Sequence, residues 1–144
     1  MKDVFIAAPV RTAIGSFGGM FKNVMGSDLA VFPVKACLEE SGIDPADLED
    51  VIFGNCFMRS DDINIARVTL LKAGIPWSVP GVTIQRQCSS SMQATVYAAQ
   101  QIQTGGADMI LVGGVEAMSQ TPYMLKDVRW GKRMQHGEMT DCLW

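Results

Sequence analysis

No two cysteines of this chain form a C-x-x-C pair. Cys37, Cys56, Cys88 and Cys142 are widely scattered. Tetrahedral zinc sites usually take two ligands from one tight turn, so a zinc site is not expected, nor any other metal site. Nearly half of the chain is apolar and nothing resembles a secretion signal, so a disulfide framework is not expected either. Reduced thiols are the default, and Cys37 and Cys56 read as small core residues. Long apolar runs are also missing: none approaches the roughly 20 residues that cross a bilayer. The opening "MKDVFIAAPVRT" is too short and too interrupted for a signal-peptide core. A cytoplasmic protein without membrane contact is expected. There is no basic run and the net charge is −3, which argues against a nucleic-acid surface. Neither G-x-G-x-x-G nor a Walker pattern occurs, so a phosphate loop is not expected at Gly113-Gly114; close backbone packing is. Histidine is reduced to His136, in "RMQHGEM", which reads as an exposed loop residue. Internal repeats and low-complexity segments are absent.

What remains is a chain of 144 residues, enough for one hydrophobic core. "DVFIAAPV" (Asp3 to Val10) reads as a buried strand, followed by a loop with Gly15, Gly18 and Gly19. "SDLAVFPVKACLEESG" reads as a helix capped by Ser27 and closed by Gly42, with Leu29, Phe32, Ala36 and Leu38 on its apolar face. Pro33 inside it predicts a kink. Asp44 and Pro45 start a short turn, and "VIFGN" is a second strand. "DDINIARVTLLKAG" is a second helix facing inward through Ile63, Ala66, Leu70 and Ala73. "VTIQRQ" reads as a third strand and "ADMILVGG" as a fourth, buried on both faces. Between them runs a third helix with Met92, Val96, Ala99 and Ile102 inward, ending at Gly105-Gly106. Beyond Ser119 no element is evident, and Tyr123, Trp130 and Met134 there need cover from outside this chain. Strands alternating with helices imply parallel pairing and an α/β layered fold.

Cys88 stands where the third strand hands over to the third helix. Loops at the carboxyl ends of strands are where α/β folds bind ligands. The amides of the residues after Cys88 open a helix, whose positive end favours a thiolate. The same amides can stabilise an oxyanion. Ser89, Ser90 and Ser91 leave room beside the sulfur and can cap. Position alone leaves two readings open for Cys88, a nucleophile or a core thiol. Glu116 reads as a structural carboxylate bonded to amides or an arginine, in preference to a catalytic acid.

"QRQCSSSMQA" resembles the nucleophile segment of thiolases, matching at Arg86, Cys88, Ser90, Met92, Gln93 and Ala94. "RTAIGSFGG", "GIDPADLEDVIFGN", "ARVTLLKAGIP" and "LVGGVEAMSQTPY" resemble further thiolase segments in the same order. Ser91 stands where the family usually has Gly, which would narrow the acyl pocket or alter the subclass. Gln85 replaces the usual Asn, and "FMRSDDINIAR" lacks the glycines common before the second helix. The resemblance implies the N-terminal half of a thiolase-like layered fold, a parallel-rich sheet with helices. Residues 1–119 would be the α/β half-domain and 120–144 the start of the family's loop domain. It implies an acyltransferase acting on acyl-CoA and CoA, with coenzyme A thioesters as substrates and no other cofactor, homo-oligomeric at full length.

In that reading Cys88 takes an acyl group as a thioester, and a second acyl-CoA or free CoA removes it. The family also uses a histidine in a Gly-His-Pro segment and a second cysteine in a Cys-x-Gly-x-Gly segment. This chain has neither, and His136 and Cys142 do not replace them. The isolated chain is therefore expected to be inactive alone and to expose apolar surface that promotes self-association. Two alternatives stand beside the enzyme reading. One is a non-catalytic interaction module that needs a partner half; the other, disfavoured by "GGVEAMS", is a condensing synthase of the same fold.

Overall fold

A computed structural model describes residues 2–144. Its centre is a three-stranded parallel sheet in the order β2-β1-β3. The strands are β1 (Asp50–Gly54), β2 (Gly81–Ile84) and β3 (Ile110–Gly114). Helix α1 (Gly26–Ser41) precedes the sheet. Helix α2 (Ile65–Ala73) connects β1 to β2, and α3 (Ser90–Gln103) connects β2 to β3. The expected α/β layering with parallel pairing is therefore present.

The pleat of β1 assigns its side chains to opposite faces. Val51 and Phe53 join Val34, Ile65 and Leu70 in the larger core, on the side of α1 and α2. Ile52 points the other way and packs with Ala94 and Ala98 of α3. The central strand is thus buried on both faces, as its apolar sequence requires.

Local punctuation in the sequence matches the structure. Gly42 and Gly74 close α1 and α2 in the left-handed conformation, at φ 67° and 88°. Asp44 accepts a hydrogen bond from the Ala46 amide at 2.9 Å, and Pro45 begins a single 3-10 turn. Helix α1 runs unbroken through Pro33.

Helix faces were less legible. In α1 the buried residues are Gly26, Ser27, Ala30 and Val34, while Phe32 is exposed. Ser27 is not the cap: the N-cap is Met25, two residues earlier, and Ser27 lies inside the helix. In α2 the buried residues are Ile65, Ala66, Thr69 and Leu70, and Ile63 is exposed. In α3 the inward residues are Ser90, Ala94 and Ala98, and Met92 is 70 % exposed. Strand β3 is only partly buried, because it lies at an edge of the sheet.

Asp3–Val10 forms no strand. Ala8 adopts a left-handed φ of 48°, which interrupts an extended run. Phe5 and Ile6 are 86 % and 79 % exposed. The apolar pattern records a demand for burial, but strand formation needs a partner edge, and this segment pairs with none among the described residues. Beyond Thr121, β4 (Tyr123–Leu125) and β5 (Met139–Asp141) pair antiparallel, an element not expected from the sequence. Trp130 and Met134, between them, are exposed.

Asp62 is buried, and its Oδ2 accepts from the Ser27 amide at 2.9 Å, tying the α2 approach to the first turn of α1. Asp62→Ala leaves that buried donor unpaired. A loss of about 1–3 kcal/mol in denaturant unfolding is expected.

Candidate active site

All three sheet strands end at one side; the chain passes from β1 to its neighbour β2 and then crosses over β1 to reach β3 on the other side of it. That edge is where an α/β sheet opens a crevice. Glycine decides how closely its parts approach. A Cβ on Gly54, the last residue of β1, would lie 2.3 Å from the Ser91 amide nitrogen and 2.4 Å from the Ser90 carbonyl carbon. One on Gly114, the last residue of β3, would meet Ser91 Oγ at 1.8 Å. The N-terminus of α3 therefore rests directly on the ends of β1 and β3. Gly113-Gly114 serves close packing, as expected, and Ser91 Oγ sits against Gly114.

The turn that presents Cys88 is built by Ser90. Its buried hydroxyl donates to the Gln87 carbonyl at 2.6 Å and accepts from the Arg86 amide at 2.8 Å. The Ser89 and Ser90 amides donate to the carbonyls of Arg86 and Gln87, both at 3.1 Å. Gln87 is held at φ 50°, a left-handed conformation uncommon for a residue with a side chain. Cys88 emerges exposed just before α3. The sequence suggested that the amides right after the cysteine are open, but those of Ser89 and Ser90 are consumed by the turn. The amides of Cys88, Ser91 and Met92 have no hydrogen-bond acceptor among the described residues.

Glu116 clamps the far wall. Its Oε2 accepts from the Cys56 amide at 2.7 Å, and its Oε1 accepts from the Phe57 amide at 3.2 Å and Asn55 Nδ2 at 3.0 Å. Asn55 Nδ2 also donates to the Val115 carbonyl at 2.9 Å. Glu116 is thus the amide-bonded structural carboxylate expected. Glu116→Ala strips both backbone donors of their acceptor. It should cost about 2–3 kcal/mol, read by chemical denaturation.

Cys56 departs from its reading as a core residue. It is half-buried and lines the same groove as Cys88, with Gln87, Ser91, Gly114 and Met118. Its thiol donates to Gln87 Oε1 at 3.4 Å. Burial first, then Glu116, then Cys88, push the Cys56 thiol above its ordinary range. Only spatial proximity reveals this residue, because 31 positions separate it from its partner in sequence. Cys37 does pack against the larger core, and burial raises its thiol. His136 is exposed, and Cys142 lies next to β5. No His, Cys, Asp or Glu cluster among the described residues is arranged to hold a metal ion. No helix there is long and apolar enough to cross a membrane.

Comparison with known proteins decides the family. The family model described as "Thiolase, N-terminal domain" matches residues 4–144. The chain belongs to the thiolase family. Thiolase-family relatives include a protein described as a probable acetyl-CoA acyltransferase of Staphylococcus aureus strain NCTC 8325. It is 38 % identical over 143 residues, which are 99 % of this chain and 36 % of that protein. The counterpart from strain MRSA252 gives the same figures. The crystal structure of the Bacillus anthracis acetyl-CoA acetyltransferase superposes with a TM-score of 0.86 at 50 % identity, covering 90 % of this chain and 33 % of that one. The fold is therefore that of the N-terminal part of a thiolase, and the chain spans about a third of the length of these relatives.

Proposed function

We propose that Cys88 is the acyl-accepting nucleophile of a thiolase-type acyltransferase of which these residues form the N-terminal part. The observation that carries this reading is an exposed thiol on a rigid strand-to-helix turn, with unclaimed amides beside it. The Cys88 thiolate attacks the carbonyl carbon of an acyl-CoA. The tetrahedral oxyanion that forms can take a hydrogen bond from an open amide at the turn, the Cys88 N–H included. Collapse expels CoA as its thiolate, which takes a proton, and leaves a thioester on Cys88. In condensation the α-carbon of a second acyl-CoA, having lost a proton, attacks that thioester, the C–S bond breaks and Cys88 leaves as its thiolate. Thiolysis is the reverse: Cys88 attacks the β-keto carbon of a 3-oxoacyl-CoA, the C–C bond breaks, the released α-carbon of the departing acyl-CoA takes a proton, and free CoA then takes the acyl group from Cys88.

The relatives named as acetyl-CoA acyltransferase and acetyltransferase support this substrate class. Proton transfers fall to the histidine and second cysteine of the family's later segments, which these residues do not contain. Residues 120–144 are read as the start of the loop domain. The test is to incubate the full protein with acetyl-CoA, quench with acid and map acetyl groups by mass spectrometry. Acetyl on the Cys88 peptide is expected; an unlabelled Cys88 in folded protein that turns over substrate refutes the assignment.

A further inference from the structure

We propose that Cys56 is a resolving thiol for Cys88: when a hydroperoxide oxidises Cys88, Cys56 closes a disulfide with it and withdraws the nucleophile. The two thiols line one groove. The Cys56 thiol reaches the side chain of Gln87, the residue bonded to Cys88. The backbone brings them together from both sides. Cys56 follows Gly54 by two positions, Cys88 precedes Ser90 by two, and Gly54 and Ser90 are in direct contact. Glu116 fixes the Cys56 amide, so the second thiol is held at the groove and not left on a loose loop. The other cysteines among the described residues are elsewhere: Cys37 is on α1, on the opposite face of the sheet from α3, and Cys142 is beside β5, so the rival partner is the second cysteine of the family's later segments.

The two thiols also differ as this chemistry requires. Cys88 is exposed and meets the oxidant first, whereas Cys56 is half-buried. Burial and Glu116 push the Cys56 thiol above its ordinary range, which disfavours its thiolate. In the first step the Cys88 sulfur attacks the peroxide and the O–O bond breaks. Cys88 becomes a sulfenic acid, losing two electrons, and the peroxide leaves as an alcohol, or as water from hydrogen peroxide. In the second step the Cys56 sulfur attacks the sulfenic sulfur. An S–S bond forms, the S–O bond breaks, and the hydroxide leaves as water with the Cys56 proton. A dithiol reductant reverses the bond. Without Cys56, the sulfenic acid stays open to a second oxidation, to sulfinic acid, which such a reductant does not reverse.

The loss of acyl transfer on oxidation rests on the nucleophile reading above; formation of the disulfide does not. The experiment treats the full, reduced protein with hydrogen peroxide, blocks remaining thiols with iodoacetamide and maps peptides without reduction. The expected product joins the Cys56 and Cys88 peptides and disappears on adding dithiothreitol. In Cys56→Ser and Cys56→Ala the cross-link is absent and Cys88 is recovered as sulfinic acid. Sulfinic acid on Cys88 of the unaltered protein to the same extent as in the variants overturns the proposal. So does a disulfide from Cys88 to any other cysteine of the protein. Acetyl-CoA labelling of the reduced protein separates the two readings. A Cys56–Cys88 cross-link in protein whose Cys88 is never acetylated upholds the resolving thiol and refutes the nucleophile. Acetylation of Cys88 without any cross-link to Cys56 does the reverse.

Discussion

Cys88→Ser in the full protein should abolish the acid-stable acetyl label and lower acyl transfer by about 10⁴-fold or more, with little change in unfolding free energy. The hydroxyl keeps the shape of the turn but is a far weaker nucleophile than a thiolate at neutral pH. The two readouts separate chemistry from folding. Cys88 is exposed and packs against no core, so its removal leaves the hydrophobic clusters intact. The turn itself is fixed by Ser90, not by the sulfur. A variant that keeps a tenth of the activity would show that Cys88 is not the group that carries the acyl chain. Cys37→Ser is the contrasting substitution. It places a hydroxyl at a thiol packed on the larger core and should lower stability while leaving the label on Cys88.

Gly54→Ala should do the opposite, damaging the site through the scaffold. The added methyl would fall on backbone atoms of Ser90 and Ser91, at distances no side-chain rotation can relieve. Either α3 moves outward or β1 bends. Overpacking of this kind usually costs about 1–3 kcal/mol, and the rigid contact here puts the expectation at about 3 kcal/mol or more. Acylation of Cys88 should fall with it, because the turn rides on the displaced helix end. Gly106→Ala is the control. Its methyl would meet mainly the flexible Gln101 side chain, at 3.2 Å, so a change below about 1 kcal/mol is expected. Equal effects of the two substitutions in urea unfolding would show that the close approach at Gly54 is not what seats the helix.

The same close approach explains what could and could not be read from the sequence. Gly42, Gly74 and the Asp44-Pro45 turn act through their own backbone conformations, so their roles are local and legible. The position of Cys88 was legible for the same reason, as the point where a strand pattern becomes a helix pattern. The inward face of α3 was not. Hydrophobicity pointed to Met92 and Val96, but a helix resting on Gly54 and Gly114 admits only small side chains, and Ala94 and Ala98 fill that role. The Asp3–Val10 run misled in a related way, since apolarity records that burial is needed but not against what. The role of Glu116 was readable in kind but not in detail, because its partners lie 59 to 61 positions away. Cys56 was missed because its neighbourhood exists only once β1 and α3 meet.

The division of amides at the Cys88 turn has a spectroscopic consequence. Deuterium uptake should be slow at Cys56, Phe57, Ser89 and Ser90, whose N–H groups are engaged, and fast at Cys88, Ser91 and Met92, whose groups are open. A group seated on the sulfur that borrows the open amides would slow the second set and leave the first unchanged. The turn would thus carry its own isotopic gauge of occupancy, readable residue by residue without any turnover.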